Sequence, residues 1–209
     1  MTAEPIPETT VPTELTGATG SGVRWPMPPL DGYTVDDLFT LPDLPPHTQL
    51  MDGSLVFVSP QRDFHGVVID LLVAGLRASA PSQLKVRREM TVVLDKRNGP
   101  EPDVCVVRAG ATGPDVTHFE AEEVLLAVEV VSPESKARDT DTKPHKYAAA
   151  GIPHFWLVDR SGTGMRPVVR VYELDPLAKT YVLRGIHHDE LKVDGPFGAV
   201  IDLTAVDDL

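Results

Sequence analysis

Residues 125–131 read Leu-Leu-Ala-Val-Glu-Val-Val, an apolar run broken by a single carboxylate, Glu129. An uninterrupted apolar run of this length reads as a β-strand covered on both faces. A carboxylate placed there loses its hydration, and an unpaired buried charge is costly. Glu129 therefore needs a cation beside it: an arginine, a lysine or a metal ion. Asp103 poses the same problem at the start of the apolar run 104–107. Side chains alternate along a strand, so Glu129 shares a face with Ala127 and Val131, and Asp103 with Cys105 and Val107. If the two strands are neighbours, both carboxylates converge on one point. Two hard oxygen ligands on rigid strands suit Mg2+ or Mn2+. The plainer alternative pairs each carboxylate with a basic side chain such as Arg87, Arg88 or Lys143.

The rest of the chain builds around these strands. Residues 1–30 hold six prolines among Thr, Gly and Glu and read as a disordered tail, with Trp25 either anchoring its end on the domain or part of a weakly ordered tail. Residues 31–209 read as one domain. Thr34 followed by Asp36 and Asp37 suits a short helix start, which Pro42, Pro45 and Pro46 terminate. Asp52-Gly53 between two apolar runs predicts a β-hairpin. Asp63 is placed to cap a helix reaching residue 79, with Phe64, Val68, Leu71, Leu72 and Leu76 at helical spacing. His65 falls in its first turn, where a partly exposed histidine is expected and a substrate contact is the alternative. Residues 84–94 read as one strand, 96–100 as a turn and 109–122 as loop.

Ser132-Pro133 ends the Glu129 strand, because proline cannot extend a central ladder. A helix then begins near residue 141 or 142, with Pro144 in its first turn, and Gly151 closes it. Lys143 and Tyr147 are four apart and share one face of it. The strand 155–158 follows, so strand, helix and strand form a parallel crossover. The segments 168–173 and 180–183 make another hairpin around Asp175-Pro176, His187-His188 reads as a surface turn, and 199–203 is a closing strand. The whole is an α/β or α+β fold: a mixed sheet with hairpins outside, a crossover in the middle and helices on both faces.

Composition excludes several classes. A net charge of −12 argues against broad, non-specific nucleic-acid binding, though not against a local basic groove. The one cysteine, Cys105, forbids an internal disulfide and reads as a buried structural thiol. With no signal peptide and no apolar run long enough to span a membrane, a cytoplasmic protein is expected. There is no Walker loop, no dinucleotide fingerprint and no zinc-type Cys/His set. What the residues allow is phosphodiester hydrolysis: Asp103 and Glu129 hold one divalent cation, and Lys143 adds positive charge beside the scissile phosphate.

The string Pro102-Asp103, Glu129-Val130-Val131-Ser132-Pro133, Asp139 with Lys143 and Tyr147, and Gly151-Ile152-Pro153-His154-Phe155-Trp156-Leu157-Val158-Asp159 resembles the Uma-two family. That family comprises endonucleases of the PD-(D/E)xK, restriction-endonuclease-like superfamily. The likeness also takes in Gln49 to Gly53, Ser59-Pro60 with His65, and Pro196-Phe197-Gly198, and covers roughly residues 33–205. It implies a restriction-endonuclease-like core, DNA as substrate, Mg2+ or Mn2+ as cofactor and a homodimer. Asp103 and Glu129 match the family's metal-binding acids. The superfamily lysine two residues after the second acid is Val131 here, and Lys143 on the following helix is the matching position. Gln49, His65 and Tyr147 are the substrate or supporting candidates. Gln49 stands where the family often has Glu, so this chain lacks one negative charge. A catalytically inactive member acting as a binding module is therefore the competing expectation.

Overall fold

The computed structural model describes residues 27–160 and 166–208. Trp25 and the tail as far as residue 26 lie outside the described residues. In chain order the elements are α1 (Val35–Thr40), β1 (Gln49–Met51), β2 (Ser54–Val56), α2 (Asp63–Ser79), β3 (Leu84–Arg88), β4 (Thr91–Val93), β5 (Val104–Arg108), β6 (His118–Glu120), β7 (Val124–Val130), α3 (Lys143–Ala150), β8 (His154–Arg160), β9 (Pro167–Asp175), β10 (Thr180–His187), β11 (Glu190–Val193) and β12 (Ala199–Asp202). Among the described residues no helix is long and apolar enough to cross a membrane.

The centre is a six-stranded sheet in the order β10-β9-β8-β7-β5-β3. β7 and β8 run parallel, joined across α3. The other neighbours are antiparallel, so the sheet is mixed, as the sequence pattern requires. Helices cover both faces. Val68, Ile69, Leu72 and Leu76 of α2 pack on Val104, Val106, Leu126, Val128 and Trp156. The alternate residues Cys105, Val107, Ala127, Phe155 and Leu157 meet Tyr147 and Ile152 on the α3 side. Glu129 is on that second face by strand alternation, beyond Ala127.

Local signals explain the ends of several elements. Thr34 and Asp37 form a reciprocal capping box at α1. Asp52 and Gly53 take φ of 51° and 77°, the positive pair a two-residue hairpin turn requires. Gly151 closes α3 at φ 86°, a left-handed value that favours glycine. Gly75 serves a different need, close approach of α2 to β12. A Cβ at this position would lie 2.6 Å from Ile201 Cγ1 and 2.7 Å from Cδ1. Gly75→Ala should therefore lower stability by about 1–2 kcal/mol, overpacking outweighing alanine's better helix propensity. A thermal melt checks this, and an unchanged or higher midpoint would show that β12 yields freely.

Four expectations need correction. The strand expected over 84–94 breaks at Glu89, which takes φ 51°. The chain turns there, and β4 leaves the sheet to pair in parallel with β6, so Met90, Val92 and Leu94 do not continue the face of Val86. The loop expected over 109–122 contains β6, whose Phe119 is buried. The closing strand has a partner, β11, that the sequence reading lacked. Asp63 is the first residue of α2, not its cap; Arg62 holds that position without a side-chain hydrogen bond.

Candidate active site

Antiparallel β5 and β7 pair Val104 with Val128. One further step of that register brings Asp103, the residue before β5, beside Glu129 at one end of the sheet. Glu129 is 1% exposed, and both its oxygens are taken. Lys143 Nζ donates to Oε2 at 2.7 Å, and the Tyr147 hydroxyl donates to Oε1 at 2.6 Å. Lys143 and Tyr147 reach one carboxylate because they sit one turn apart on α3. The plainer pairing is thus realised for Glu129, and by Lys143. Arg87 instead donates to the Val86 carbonyl, and Arg88 pairs with Glu89 and Asp70.

Asp103 ties three elements together. Its Oδ2 accepts from the Val130 N–H at 2.6 Å and lies 3.3 Å from His65 Nε2. His65 is therefore not the partly exposed helix residue expected: it is 5% exposed and faces the carboxylate. Gln49, also buried, contributes to the wall of the same cavity. That cavity, of about 260 Å3, is lined by Asp103, Glu129, Lys143 and His65, with Ser132 and Arg138 among its other walls. Tyr147 lies behind Glu129, outside the lining.

The sequence reading assigned no role to Asp139, and the structure places it here. It lies on a π-helical turn, Arg138–Thr142, that leads into α3. Such turns recur at functional sites. Asp139 is 1% exposed, and its Oδ1 stands 3.4 Å from Lys143 Nζ with no hydrogen bond. The four-residue spacing to Lys143 was the available signal.

Three carboxylates thus face one ammonium and one imidazole. Burial pushes the Glu129 carboxyl well above the usual range, with Lys143 opposing and Asp139 and Asp103 adding to the rise. Burial likewise raises Asp139. Burial alone would lower Lys143, but Glu129 and Asp139 outweigh it and hold the ammonium protonated. His65 follows the same logic: burial disfavours its charge, yet Asp103 raises its pKa. Cys105 is buried, and desolvation pushes its thiol up to about 12, as befits a structural residue.

The donors suit a hard cation. Among the described residues no group of three His, Cys, Asp or Glu side chains is arranged to hold a metal ion. Mg2+ needs no such cage, since it commonly takes one or two carboxylates and fills its shell with water. Asp103 and Glu129 meet that demand in kind.

Comparison with known proteins agrees with this architecture. No curated protein matches the chain. A crystal structure of a "putative nuclease belonging to DUF820" from Anabaena variabilis ATCC 29413 shares the fold, with a TM-score of 0.58 at 14% identity over 84% of this chain and 92% of that one. The Uma2 family model, described as "Putative restriction endonuclease", matches residues 35–204. Those residues hold the whole central sheet and every side chain of the cluster, and the chain belongs to the Uma2 family.

Proposed function

We propose that the chain is a Mg2+-dependent endonuclease that hydrolyses DNA phosphodiester bonds, with Asp103 and Glu129 holding the cation and Lys143 acting beside it. The observation that carries this reading is the convergence of both carboxylates and the Lys143 ammonium on one solvent-connected cavity. A bound Mg2+ would supply a water of lowered pKa and neutralise charge developing on the phosphate. The chain's own residues prepare the rest. Lys143 Nζ, protonated and fixed by α3, offers a compact positive charge to a phosphate oxygen. Tyr147 fixes the far oxygen of Glu129, and His65 with the Val130 N–H fixes Asp103. Arg138 and Arg62 stand in the cavity wall where a polyanion would enter. Arg62 is paired there with Glu134 at 2.9 Å, which leaves Arg138 as the cation offered to a polyanion in a chain of net charge −12. The homodimer implied by the family resemblance is the form in which we expect it to act.

A second reading, a binding module without catalysis, has one observation in its favour. Both oxygens of Glu129 already have internal partners, so the cluster is satisfied as an ion-pair network without a metal. Supercoiled plasmid separates the two. The endonuclease should convert it to open circles with Mg2+ or Mn2+ and stop on addition of EDTA. A folded protein that leaves the plasmid intact at millimolar metal would sink the endonuclease and leave the binding module.

A further inference from the structure

Lys143 and Tyr147 each hold one oxygen of Glu129, so a cation has to share one of them. Tyr147 can stay, since a carboxylate oxygen has two lone pairs, but the lysine's positive charge on Oε2 opposes a second cation there. A cation on Oε2 therefore calls for Lys143 to draw back. It is 4% exposed, and an ammonium left buried without a counter-charge is strongly unfavourable. The way out lies one turn earlier. Asp139 Oδ1 is 3.4 Å from Nζ and makes no hydrogen bond. Closing that gap to a normal hydrogen bond of about 2.9 Å needs a shift of well under about 1 Å, within reach of a flexible lysine stem. The Asp139 backbone is itself anchored, its N–H donating to the Ser135 carbonyl at 2.9 Å.

We propose that Asp139 is a second seat for the Lys143 ammonium, occupied when Glu129 releases the lysine to accept a divalent cation. Asp139 is then a positioning residue. It acts on the metal through Lys143, and keeps the ammonium at the cavity wall instead of letting it leave. The inference rests on the endonuclease reading, because it presumes that Glu129 takes a cation.

Calorimetric titration of Mn2+ into four full-length proteins tests it: wild type, Asp139→Asn, Lys143→Met and the double variant. Asp139→Asn should weaken Mn2+ binding about tenfold in the wild-type background, the scale of a lost supporting partner. In the Lys143→Met background, where no lysine needs a seat, the same change should cost no more than about threefold. Equal weakening in both backgrounds overturns the proposal, because Asp139 would then act on the metal or the fold directly. No weakening in the wild-type background overturns it as well. Wild type that binds no Mn2+ at millimolar concentration overturns the endonuclease reading, and this inference with it. If Asp139→Asn or Lys143→Met does not fold, as judged by circular dichroism, Asp139→Ser or Lys143→Gln carries the same comparison.

Discussion

Lys143→Ala is expected to destabilise the protein by about 3–5 kcal/mol near neutral pH, because removing one partner strands the other charge in the interior. The variant leaves Glu129 and Asp139, each 1% exposed, with no ammonium between them. Both carboxyls have almost no surface open to water, so both respond by binding protons. That gives the defect a pH dependence with a definite sign. Burial already raises both carboxyls above their ordinary values of 4.5 and 3.8, and losing Lys143 removes the group that holds them down. A carboxyl whose pKa is higher folded than unfolded contributes stability fully below the unfolded value and loses it as pH rises through the folded one. The deficit should therefore be smaller at pH 5 than at pH 8. In the wild type, Lys143 itself is raised above 10.5, so its contribution is present below that value and is lost only in strong alkali. Urea denaturation of both proteins at the two pH values reads this directly. A deficit independent of pH, or below about 1 kcal/mol, would mean that the pair is solvated and not buried.

The sequence made the centre of this cluster legible because a carboxylate in an apolar strand has few places to go. Strand alternation placed Glu129 and Asp103 on the same side, and helical spacing placed Lys143 and Tyr147 together. The pairing of β5 with β7 was only conditional, since adjacency of strands is a tertiary fact. His65 was misread although its signal was present: it stands at positions three, four and seven before Val68, Ile69 and Leu72, all buried, and so lies on the core face of α2. The reading used Phe64 instead, one position off the true stripe. Asp139 stands in the motif string but takes no role from the sequence, because the π-helical turn that aims it at Lys143 has no periodic signal. Glu89 gave no warning at all. A non-glycine residue at positive φ is uncommon, and no proline or glycine marks the bend there. β6 is too short to carry a periodic pattern, whereas Glu190-Leu191-Lys192-Val193 of β11 alternates polar and apolar and is buried at every second residue, a short strand signal.

Asp103→Asn should leave the fold almost untouched and remove most of the cleavage. The asparagine oxygen can still accept from the Val130 N–H, the bond Asp103 Oδ2 makes at 2.6 Å. The stability change should therefore stay within about 1 kcal/mol, the net worth of a single hydrogen bond. What disappears is the negative charge facing the cavity, and a neutral amide is a far weaker ligand for a hard cation than a carboxylate. Supporting partners of metal ligands already cost 10–100-fold when removed, so losing a ligand should lower metal-dependent nicking by at least about 100-fold. Plasmid nicking rates at saturating Mg2+, set beside urea midpoints for the same preparations, separate the two kinds of role. Undiminished nicking would place the cation away from Asp103. A loss of nicking accompanied by several kcal/mol of instability would make Asp103 a staple between β5, β7 and α2. Lost cleavage in a stable protein is the outcome expected of a residue held in place by Val130 and His65 for a ligand that the fold itself does not need.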